Sequence, residues 1–75
     1  MLYIHIHLLP WGVSGVVAFY EINDASGLAR VLQQNAVNGA DLLALGSPQG
    51  VERDFRLAPF AAAKILSIRD AFLVA

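Results

Sequence analysis

His5 and His7 are the residues whose type and spacing come nearest to chemistry. On an extended strand, His-x-His places both imidazoles on one face, roughly 6.5–7 Å apart along the backbone. Two neutral imidazoles can converge on one metal ion, but a closed site needs three or four ligands. The remaining candidates are scattered carboxylates such as Glu21, Asp24 and Asp41, and none stands at a ligand spacing. The pair therefore reads as a ligand-binding candidate on one strand face beside Tyr3, with no metal and no other cofactor implied.

Asp24 and Ser26 could pair an acid with a nucleophile, but no histidine stands at a spacing that would activate the serine. A carboxylate or hydroxyl at that point reads better as a helix N-cap, accepting from backbone N–H groups that have no partner in the first turn. Gly15, Gly27 and Gly39 match neither of the glycine-rich phosphate-binding patterns. No catalytic residues are assigned, and the chain reads as a protein other than an enzyme.

Arg53, Arg56, Lys64 and Arg69 are the other candidates. Separately they make no basic stripe. Gathered by oligomerisation, they could present a positive surface to a small ligand or a nucleic acid. Phosphate recognition begins with clustered cations, and a net charge of −1 argues against it. Trp11, in a Pro-Trp-Gly turn, is the type of residue that anchors protein interfaces.

Composition sets the frame. The chain has 75 residues, 57% of them apolar and 15% charged. Average soluble domains are about 45–50% apolar and about 25% charged. One domain spanning residues 1–75 has a thin core, so part of this apolar surface is available to another molecule. There is no cysteine, which excludes disulfides and thiolate metal sites and suits the reducing cytoplasm. Residues 1–20 carry no Asp, Glu, Lys or Arg, the length of a bilayer span. His5, His7, Pro10, Gly12 and Gly15 interrupt that stretch, and no basic flank orients it, so a membrane span is not expected.

The elements that would position these residues follow from periodicity. Leu28, Val31, Leu32, Asn35 and Ala36 share one face of a helix predicted over residues 24–38, with Asn38-Gly39 as its stop. The rest reads as strand. Residues 2–9 and 16–22 form the first two strands, and the second is apolar on both faces. Residues 41–45 and 51–57 form a hairpin around the turn 46–50, and 64–70 make a last strand. Pro59 to Ala63 could form one helical turn. The expected fold is α+β: a small, mostly antiparallel sheet of four to five strands with one helix on one face, in the order β-β-α-β-β-β. The doubly apolar second strand and the apolar terminus at residues 71–75 suggest an obligate homo-oligomer, or a subunit binding another protein. Trp11, Val17, Phe19, Phe72, Leu73 and Val74 are the interface candidates.

Overall fold

The computed structural model describes residues 8–74 and contains helices but no strand among them. The helices are α1 (Val13–Ile22), α2 (Ser26–Gln34), α3 (Gly39–Ala44), α4 (Pro48–Phe55) and α5 (Pro59–Val74). The expected α+β sheet is therefore corrected to an all-helical bundle. Residues 2–7 of the first expected strand lie outside the described residues, and Leu8 after them is already helical.

Periodicity explains each correction. In α1, Val13, Val16, Val17 and Tyr20 fall at i, i+3, i+4 and i+7 and are buried or half-buried, with half-buried Gly15 and Phe19 beside them. A strand would put Val16, Ala18, Tyr20 and Ile22 on one face, yet Val16 and Tyr20 are fully buried and Ile22 is 80% exposed. The valines favour a strand intrinsically, but that preference is weak beside the packing of a whole face. In α4, Val51 is buried while Arg53 points to solvent. A strand would place both on one side, where Arg53 is a misfit. Lys64 to Asp70 belongs to α5, whose Ala62, Ile65, Leu66 and Arg69 repeat at i, i+3, i+4 and i+7. Pro59 starts this helix at its first position, where a missing N–H costs nothing.

The helix ends have local causes. Asn23 and Asn35 each follow a helix, and each side-chain amide reaches back four residues, to the Phe19 and Val31 carbonyl oxygens at 2.8 and 2.9 Å. The next residues, Asp24 and Ala36, adopt positive φ of 58° and 52°. The N–H groups of Ala25 and Val37 then donate to Tyr20 O and Leu32 O, closing both ends in the same way. α2 accordingly spans Ser26–Gln34 rather than 24–38, and Asp24 ends α1 instead of capping α2. Asn38, expected as a stop, is a start. Its Oδ1 accepts from Asp41 N at 2.9 Å while its own N–H donates to the Asp41 carboxylate at 3.2 Å. Ser47 caps α4 by accepting from Gly50 N.

The core is one cluster to which Leu8, Val16, Tyr20, Leu32, Leu42, Val51 and Ile65 contribute fully buried side chains. Each buried side chain of this size contributes roughly 1.5–3 kcal/mol. α1 packs on α2 and α3, and α4 packs on α5. The segment before α1 is fastened to α3: Gly39 N–H donates to the Trp11 carbonyl oxygen at 2.8 Å. The approach is close enough that a Cβ on Gly39 would overlap the Leu8 carbonyl.

Candidate functional site

The aromatic residues named from the sequence meet between the start of α1 and the end of α5. The ring centroids of Trp11 and Phe19 are 5.3 Å apart, those of Trp11 and Phe72 5.2 Å, and those of Phe19 and Phe72 5.3 Å. Tilted and edge-to-face arrangements at these separations are favourable beyond the burial they bring. Val17, Phe19, Phe72 and Leu73 are half-buried and pack against the core with Trp11, while Val74 ends α5. Phe72, within the apolar C-terminal stretch, is thus held against Trp11 and Phe19. His5 and His7 lie outside the described residues.

Arg53, Arg56 and Lys64 are exposed, and the Arg53 guanidinium lies 3.9 Å from Asp54. Arg69 has a different place. Its side chain is 12% exposed. One terminal nitrogen donates to the carbonyl oxygens of Leu42 and Leu45, at 3.2 and 2.5 Å. Nε and the other terminal nitrogen engage Asp70 Oδ1 at 2.9 and 2.8 Å. The planar guanidinium suits both roles at once. It closes the end of α3, sharing the Leu42 carbonyl with the Leu45 N–H and giving the Leu45 carbonyl a donor, and keeps its own counter-charge. Nothing in the sequence pattern assigns Arg69 this role. The one signal for it is a charge on the apolar face of α5, four residues after Ile65 and three after Leu66.

An open cleft of about 650 Å³ lies beside this arginine, lined by Gly46, Pro48, Ala63, Leu66, Ser67 and Arg69, among others. Its charged groups are Arg69 and Asp70, which are already bonded to each other. The cleft therefore presents no free acid–base pair. Tyr20 is a group whose titration is displaced. Burial pushes its phenol well above the ordinary value, the Arg69 guanidinium pulls it back in part, and Asp70 adds to the rise. A phenol held protonated in the core is a hydrogen-bond donor rather than a general base. Asp41 is engaged at the α3 cap, and Glu21, Asp24 and Ser26 are exposed. Among the described residues no group of three His, Cys, Asp or Glu side chains could hold a metal ion.

The surface carries three exposed large apolar side chains among the described residues: Ile22 at 80%, Phe60 at 82% and Leu9 at 50%. Ile22 ends α1 between exposed Glu21 and Asp24. Phe60 stands in the first turn of α5, one turn before exposed Lys64 and four residues after exposed Arg56. Among the described residues no helix is long and apolar enough to cross a membrane.

Over the described residues these features amount to a small all-helical fold whose buried side-chain polar atoms all have hydrogen-bond partners, with three large apolar side chains exposed. No family model, no curated protein and no solved structure matches the chain.

Proposed function

We propose that this chain is a small helical protein-interaction module that associates with copies of itself through its exposed apolar side chains. The observation carrying this reading is Phe60, a large aromatic on a rigid helix with most of its surface in water. Aromatic side chains on rigid elements are the kind that supply most of an interface's energy. Ile22 is exposed to the same degree, with acidic neighbours where Phe60 has basic ones. Charges of opposite sign close in sequence to the two apolar side chains would favour contact between copies of one chain, since complementary charge steers encounter and sets register. The half-exposed edges of Trp11, Val17, Phe19, Phe72 and Leu73 add apolar surface near the end of α5. The absence of cysteine suits the reducing cytoplasm, where we place the module; fractionation of cells producing the tagged chain checks this.

Light scattering on a size-exclusion column tests the reading. The expected result is a defined oligomer whose mass falls toward that of the monomer in Phe60→Glu, with the helical circular-dichroism spectrum retained because Phe60 is outside the core, and a thermal midpoint that falls only by what association contributed. A particle of 8.1 kDa persisting into the high micromolar range would overturn it. So would association that Phe60→Glu and Ile22→Glu both leave intact. The nucleic-acid reading of Arg53, Arg56, Lys64 and Arg69 gains no support of its own, because Arg69 is engaged by Leu42, Leu45 and Asp70.

A further inference from the structure

We propose that Asn38-Gly39 is a self-modification site whose chemistry is gated by the segment preceding α1. An Asn-Gly pair is prone to cyclisation because glycine puts no side chain in the way of its own nitrogen. In that reaction the Gly39 nitrogen loses its proton and bonds to Asn38 Cγ. The Cγ–Nδ2 bond breaks and ammonia departs. Water then opens the cyclic imide at either carbonyl, leaving aspartate or isoaspartate at position 38.

The fold holds every participant away from this course. Gly39 is buried, and its N–H is engaged by the Trp11 carbonyl oxygen at 2.8 Å. Its Cα lies against the Leu8 backbone, and a Cβ there would stand 3.0 Å from Trp11 Cβ. The Asn38 side chain is fixed as well, since Oδ1 accepts from Asp41 N at 2.9 Å. Cyclisation needs the Gly39 nitrogen stripped of its proton and Cγ swung onto it, so both hydrogen bonds must break first. Asn38 therefore reacts only in molecules whose residues 8–11 have come away from α3.

The isoaspartate product keeps the segment away. It routes the backbone through the former side chain and adds one carbon to it, displacing Gly39 N–H from Trp11 O and dissolving the cap with Asp41. Aspartate remains a good N-cap and leaves the backbone unchanged, so that product lets the segment close again. In the isoaspartate form a transient opening is thereby converted into a permanent one, which uncovers Leu8, fully buried in the closed form.

The test is peptide mapping by mass spectrometry of the full chain held at mildly alkaline pH, with isoaspartate detected by enzymatic methylation. Hydrogen exchange of the Gly39 amide is followed in parallel. Asn38 is expected to convert about tenfold or more slowly in the native protein than in concentrated urea, as local protection requires. Leu8→Ala should raise conversion and Gly39 exchange by the same factor. Should that variant fail to fold, urea below the unfolding transition supplies the same comparison on the unsubstituted chain. Native conversion as fast as in urea would overturn the proposal, as would faster Gly39 exchange without faster conversion.

Discussion

The Tyr20 hydroxyl donates to the Ile65 carbonyl oxygen at 2.7 Å, joining α1 to α5 across 45 residues of sequence. The side chain is fully buried, and its one polar atom has found a partner where water cannot reach. Without that partner, burying the hydroxyl would cost about 1–3 kcal/mol. Tyr20→Phe removes the donor and leaves a carbonyl that still accepts within its own helix. The variant should lose about 1 kcal/mol, read from urea unfolding midpoints.

The same phenol sets an alkaline limit. Its folded value is raised above the ordinary one near 10, so the unfolded chain gives up the proton first. The contribution is complete below pH 10 and is lost progressively as pH rises beyond it. Unfolding midpoints at about pH 8 and about pH 11, on either side of that value, should separate more in the unsubstituted chain than in Tyr20→Phe. Equal separations would show that other groups cause the loss.

Gly39→Ala should be among the most damaging single changes. The added methyl would overlap the Leu8 carbonyl, a backbone atom that cannot rotate away. Overpacking of this kind costs about 3 kcal/mol, a large part of a small domain's total stability. Gly12→Ala is the control, since a Cβ there meets nothing within 4 Å. Circular dichroism on heating should show an early or absent transition in the first variant and a near-normal one in the second.

Arg69→Lys is not conservative here. An ammonium cannot reach the Leu42 and Leu45 carbonyls and Asp70 together in the planar geometry that a guanidinium provides. Arg69→Ala should destabilise by about 2 kcal/mol, and Arg69→Lys by somewhat less, both read from urea unfolding midpoints. High salt should narrow the difference between the variants and the unsubstituted chain only slightly, because the carbonyl contacts are partly buried and poorly screened.

Ala36→Gly should stabilise the protein. Ala36 holds φ at 52°, a region unfavourable to a residue with a Cβ, between helices that need the turn. Glycine relieves that strain at some entropic cost, for a net gain of about 0.5 kcal/mol and an upward shift of a few degrees in melting temperature. A lower melting temperature would mean that the alanine methyl packs favourably enough to outweigh the strain.

How far the sequence can be read differs by element. α2 is legible as a helix because Leu28, Val31 and Leu32 are flanked by polar residues, but its face is displaced: Ala29 and Leu32 are buried, while Asn35 and Ala36 are exposed beyond its end. In α1 and α5 most residues are apolar, and runs such as residues 16–19 and residues 65–66 do not distinguish a period of 2 from one of 3.6. The α4 stretch misleads for another reason: Val51 and Phe55 satisfy both periods, and only exposed Arg53 favours the helix. Asn38-Gly39 is ambiguous because asparagine both starts and stops helices, and Asp41 three residues later decides for a start. At the surface, Trp11, Phe19 and Phe72 are recognisable as aromatics that must pack somewhere, but not as a single group. The exposure of Phe60 and Ile22 is illegible, since it depends on how the helices cross. The engagement of Arg69 is also hidden, because carbonyl groups carry no mark in a sequence.

The Tyr20–Ile65 and Trp11–Phe72 contacts bear on how the chain matures during synthesis. The surface of α1 that they cover is made early, and its covering helix leaves the ribosome last of the described elements. Until then Trp11, Phe19 and Tyr20 lack their partners on α5, and loops of about fifty residues must close before they are sheltered. A nascent chain halted before Ile65 would expose a sticky aromatic surface to its neighbours on the same messenger, where crowding of identical chains favours misassembly over waiting.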